Sequence, residues 1–157
     1  MPDKQGSIIR TESATSAGGV VYRLGEQGLE VVICGRSSEG VWGLPKGTPE
    51  PGEDLITVAT REVREETGLE VEPEEQIGSI RYWFVRGGVR YHKTVYHYLF
   101  VHVGGNLDAH DAEYDRVEWL GVDEARRRLS YQNEVDIVRK AAAMIAQRRA
   151  TAPERKA

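Results

Sequence analysis

The chain has 157 residues, of which 39% are hydrophobic, and a formal net charge of −4. That length suits one domain with a sizeable core. The acid excess excludes the global basic field that would point to a nucleic-acid partner or an anionic membrane. The single cysteine, Cys34, excludes a disulfide framework and a cysteine zinc site. With no leader peptide and no apolar run long enough to span a bilayer, a cytoplasmic location is expected.

Residues 1–16 are polar and rich in Ser and Thr, and read as a flexible N-terminal arm. Gly18 to Leu24 and Leu29 to Cys34 read as strands joined by the turn Gly25-Glu26-Gln27-Gly28, with Cys34 in the core. Arg36 to Gly40 is a loop, and Val41 to Lys46 leads into a turn built on Pro49, Pro51 and Gly52. A helix is predicted from Leu55 to Thr67, capped by Glu53 or Asp54 and terminated by a left-handed Gly68.

Leu69 to Glu72 alternates and is expected to stop at Pro73. Ile77 to Arg86 and Val89 to Val103 flank Gly87-Gly88 as a second hairpin. The second arm of that hairpin is apolar on both parities, which predicts a central strand. Arg116 to Leu120 reads as a short strand, and Val122 to Leu129 and Glu134 to Gln147 as helices. Residues 148–157 read as a flexible tail. Strands on both sides of one helix, followed by a terminal helix, imply an α/β fold with a mixed sheet between helices, spanning residues 17–147.

The helix at 55–67 carries acids that folding does not require. Leu55, Val58 and Ala59 form one stripe at helical spacing, with Ile56 and Val63 on its flank. The next turn of that stripe holds Glu62 and Glu66, with Glu65 beside them. Like charges at i, i+4 cost a few tenths of a kcal/mol, about 0.2–0.5, and the negative end of the helix dipole adds to the penalty. A divalent cation is the simplest compensation. Oxygen-only donors without a thiolate or imidazole pair favour a hard ion, Mg²⁺ or Mn²⁺. The bland alternative is a solvated acidic helix end paired with Arg61 and Arg64.

The wider pattern decides between them. Gly47, Glu53, Arg61-Glu62, Val63, Glu65-Glu66, Gly68 and Leu69 resemble the Nudix box at every defined position. The resemblance to the Nudix hydrolases covers roughly residues 17–147. It implies an α/β/α sandwich and Mg²⁺-dependent cleavage of a phosphoanhydride linked to a nucleoside, a small-molecule nucleotide being the partner. Glu62, Glu65 and Glu66 are the implied catalytic and metal-binding acids, with Arg61 orienting box acids that include Glu53. Glu62 is the family's usual general base, although which carboxylate takes the proton stays open.

A finer resemblance is to the Nudix subgroup that splits diadenosine polyphosphates asymmetrically, taking Ap4A to ATP and AMP. It is carried by LPKG before the box, KTV on the following long strand, and an acidic segment before Trp119-Leu120-Gly121. It implies that Lys46 and Lys93 contact the phosphate chain and that the Lys46 carbonyl ligates metal. Glu113 would complete the metal shell, with Asp111 and Asp115 of the same loop as alternatives. Tyr131 would stack adenine, with Tyr82 or Trp83 as the opposite wall. The subgroup often has a histidine before the tryptophan of this run, where Val41 stands here.

Two other readings remain: a nucleoside-triphosphate pyrophosphohydrolase, and a non-catalytic module that senses a nucleotide. P-loop, dinucleotide-fold and nucleophile-elbow motifs do not occur, and His92, His97, His102 and His110 contain no i, i+4 zinc pair.

Overall fold

Among the residues described by the computed structural model, 10–26 and 28–151, seven strands form one mixed sheet. The strands are β1 (Arg10–Gly25), β2 (Gly28–Arg36), β3 (Val41–Gly43), β4 (Lys46–Gly47), β5 (Leu69–Arg86), β6 (Val89–Gly105) and β7 (Arg116–Gly121). Helix α1 (Leu55–Thr67) precedes β5, while α2 (Val122–Arg128) and α3 (Gln132–Thr151) close the described chain. The spatial order is β3-β2-β1-β6-β5, with β4 added to β1 and β7 to β2.

Each face of the sheet buries one apolar cluster. Val58, Ala59 and Val63 of α1 pack on Ala17, Val21, Val32, Val71 and Phe100. On the opposite face, Ile137, Val138 and Ala141 of α3 cover Val20, Ile33, Leu44 and Leu99. Fully burying one such aliphatic side chain contributes about 1.5–3 kcal/mol, so both helical layers are fixed to the sheet. The result is the expected α/β/α sandwich, and β6 lies between β1 and β5 as its two-sided apolar pattern requires. No helix among the described residues is long and apolar enough to cross a membrane.

Three expectations about extent are corrected. The polar segment expected as an arm enters β1 at Arg10 and runs parallel to β6, from Arg10 opposite Val89 to Tyr22 opposite Val101. A long β6 offers an edge whose backbone groups this segment satisfies whatever its side chains. Residues 1–9 of that arm lie outside the described residues. Pro73 does not end its strand: β5 continues to Arg86 with register shifts between Pro73 and Gly78. β5 ends the strand order, and an edge position tolerates the missing proline N–H. At the other end, α3 continues through Arg148 to Thr151 instead of fraying, and residues 152–157 of the expected tail lie outside the described residues.

Candidate active site

Helix α1 begins and ends on side chains and backbone chosen for the task. Asp54 is its N-cap, accepting from the Thr57 N–H at 2.9 Å. Gly68 closes it with φ +78°, where a Cβ would meet the Asn106 carbonyl at 2.4 Å. Within the helix, Glu66 is only 4% exposed and shares the buried stripe with Val58, Ala59 and Val63. Glu62 stands one turn earlier, and each carboxyl group is near enough for its charge to act on the other. Gly47 makes room for this: a Cβ there would lie 2.0 Å from Glu62 Cδ.

The pair holds a proton that isolated carboxylates would release. Burial, then Glu62 and Asp111, push Glu66 up to about 8 against the Lys46 N–H, which donates to its Oε1 at 3.1 Å. Burial also raises Glu62, opposed by Arg61. Arg61 is the hub of the box. It forks onto Glu53 with both bonds at 2.8 Å, donates to Glu62 at 3.0 Å and lies 3.6 Å from Glu65. That fork, with the Glu50 N–H, holds Glu53 down to about 2.

Of the expected phosphate contacts, Lys46 sits against this cluster through its N–H on Glu66, and Lys93 is near enough to Lys46 for the two charges to interact. Lys46 is on β4, and Lys93 is on β6 directly opposite Tyr82 of β5. Burial, then the charges of Lys46 and Arg86, push Lys93 down. Among the described residues neither lysine joins an ion pair. Two close cations without carboxylate partners suit an anion. Beside them opens a cavity of about 410 Å³ lined by Lys46, Tyr82, Tyr131, Glu134, Arg36 and Tyr114. Tyr131 is 55% exposed and Tyr82 37%. Trp83 is not in this lining: it faces the other side of β5, stacked on His92 at 4.3 Å.

Glu113 is the expectation that the geometry does not bring in. Its carboxylate pairs with Arg36, which lies over the Tyr114 ring, and it stays half exposed. Asp111 comes closer, because its N–H donates to the Glu65 carbonyl at 2.9 Å and its charge acts on Glu66. Glu65 itself is half exposed and turned toward Arg61. Among the described residues no three acids, histidines or cysteines converge as a closed metal cage. A hard dication nevertheless fits the Glu62–Glu66 pair: the donors are all oxygen, Glu66 is buried and Glu62 partly so, and a cation would offset the repulsion between them.

Sequence reasoning missed Glu134. It occupies the first turn of α3, 4% exposed, on the stripe of Ile137, Val138 and Ala141. An acid on an apolar stripe is the same signal that exposed Glu66.

The NUDIX domain model matches residues 13–141. A putative mutator protein, MutT4 of Mycobacterium tuberculosis, is 39% identical over 139 residues, covering 85% of this chain but 56% of its own length. The chain therefore spans about half of that relative. The asymmetrical bis(5′-nucleosyl)-tetraphosphatase of Mus musculus is 33% identical over 93 residues, 57% of this chain and 63% of that one. In fold, the C. elegans Ap4A hydrolase in a binary complex superposes with a TM-score of 0.65 at 22% identity, over 85% of this chain and 98% of that one. The chain belongs to the Nudix family.

Proposed function

We propose that the protein hydrolyses a phosphoanhydride bond in a nucleoside-linked polyphosphate, with diadenosine tetraphosphate, split to ATP and AMP, as the foremost substrate. One observation carries this reading: the Glu62–Glu66 pair at the foot of α1, two lysines that join no ion pair among the described residues, and a tyrosine-walled cavity lie side by side. A divalent ion held by Glu62 and Glu66 would neutralise phosphate oxygens and make water a better nucleophile at neutral pH. Lys46 and Lys93 hold the phosphate chain, and Tyr131 with Tyr82 stacks the base, since every purine offers a π-face. Arg61 keeps Glu62 aimed by gripping it together with Glu53. One carboxylate of this cluster takes the proton of the water that attacks phosphorus, as the cleaved oxygen leaves with the other product.

A second reading, cleavage of nucleoside triphosphates, draws on the MutT4 relative and on the 31% identical 8-oxo-(d)GTP phosphatase of Mycolicibacterium smegmatis. The test is product analysis on diadenosine tetraphosphate, dNTPs and ADP-ribose, each with and without Mg²⁺. ATP and AMP from the first, with slow turnover of the others, supports the dinucleotide. Preferred pyrophosphate release from dNTPs moves the function to the second reading, and binding without turnover throughout refutes both.

A further inference from the structure

The Glu134 carboxylate is a buried polar group with an unmet hydrogen bond at the wall of the cavity. The Leu44 backbone acts on the carboxylate, while Oε1 has no hydrogen-bond partner among the described residues. Leaving a buried acceptor unmet costs about 1–3 kcal/mol, so a purely structural acid would be expected to satisfy both oxygens. Lys46 is near enough for its charge to act on Glu134, yet makes no ion pair with it. The approach to Oε1 is kept clear by Gly43, which lines the same cavity: a Cβ there would stand 3.1 Å from Oε1.

The geometry points to Glu134 as the residue that reads the nucleobase, its free Oε1 accepting a hydrogen from the 6-amino group of an adenine stacked on Tyr131 and Tyr82. The assignment rests on the nucleotide reading above and adds the base edge to it. Stacking on tyrosine faces is tolerant of sequence, so these two rings do not by themselves choose a base. A fixed acceptor at the edge of the stack does, because a base lacking the donor leaves the carboxylate unsatisfied. Both elements that frame it are rigid: α3 through Ile137 and Val138 in the core, and the β3–β4 segment through the buried Leu44.

Titration calorimetry with AMP and purine riboside 5′-monophosphate, which lacks only the amino group, tests this without turnover. Wild-type protein is expected to bind AMP about tenfold or more tightly than the analogue. E134A brings the two affinities together, and E134Q, whose amide oxygen still accepts, restores the preference lost in E134A. G43A leaves Glu134 in place but crowds Oε1, and also narrows the ratio. Equal binding of the two ligands by wild type, or an unchanged ratio in folded E134A and G43A, overturns the assignment. Equal binding alongside Ap4A hydrolysis overturns it alone. A tenfold preference with no hydrolysis of any polyphosphate overturns the functional reading and leaves base recognition standing.

Discussion

Replacing Gly47 with alanine separates the site from the fold. A Cβ at this position would lie 2.0 Å from Glu62 Cδ and 2.3 Å from both of its carboxylate oxygens. Carbon contacts are comfortable at about 3.5–4.0 Å, so the carboxyl must retreat by about 1.5 Å. Its Oε2 now accepts from Arg61 at 3.0 Å, and a retreat of that size breaks the bond and parts Glu62 from Glu66. Misplacing an active-site group by about 1 Å costs about 10²-fold in rate, so kcat is expected to fall by at least about 10²-fold. The fold loses little, because the displaced atoms end a flexible side chain and Gly47 has no positive φ. Half-exposed ion pairs and mild overpacking set that loss at about 1–2 kcal/mol. The assay pairs kcat on Ap4A with urea unfolding for G47A, E62Q and the double variant. Since both changes act on one carboxylate, the double variant is expected to be no slower than the worse single one. Near-normal kcat in G47A, or losses that multiply in full, would refute the reasoning.

Other outcomes follow from the same side chains. Folded Glu66 titrates at about 8 against an ordinary 4.5, so the folded state holds its proton where the unfolded chain has released it. Without divalent ions, stability therefore declines by a few kcal/mol, about 2–4, as pH rises from 4.5 to 8, and urea midpoints in EDTA should show this slope in wild type and lose it in E66Q. His97 works in the opposite sense: burial, then Lys46, press it down to about 4 from 6.5, and neither ring nitrogen has a partner among the described residues. Its contribution is lost as pH falls from 6.5 to 4, by about 3 kcal/mol, so wild type should lose stability relative to H97L by about that amount across the interval. Tyr131→Ala removes one stacking face, worth about 1–3 kcal/mol; initial-rate kinetics should show KM rising while kcat changes little, and a fall in kcat alone contradicts the stacking role.

The elements that were legible in the sequence are those whose partners are local. Leu55 to Thr67 matches α1 residue for residue because its cap at Asp54, its apolar stripe and its terminator at Gly68 all lie within the segment. Glu62 and Glu66 were legible for a related reason: a charge on an apolar stripe is anomalous wherever the helix packs. Glu134 carries that anomaly too, but it stands at a helix start, where an acid is also favoured by the dipole and draws no notice. The strand at Arg10–Ser16 could not be read from its own polar residues, because its pairing with Val89–Val95 is supplied by backbone far along the chain. That Asp111 lies nearer the cluster than Glu113 rests on a tertiary tether, the Asp111 N–H on the Glu65 carbonyl. Spacing within the loop does not contain that bond.

Under the proposed function, the two glutamates on consecutive turns of α1 hold a divalent ion. Titrating Mn²⁺ into the nucleotide-free protein, followed by the loss of the free-ion paramagnetic resonance signal, measures that binding without any turnover. Wild type is expected to bind, and E66Q and E62Q each to bind at least about tenfold more weakly, since a lost ligand leaves the other carboxylate to hold the ion alone. Equal affinity in wild type and both variants would contradict the account.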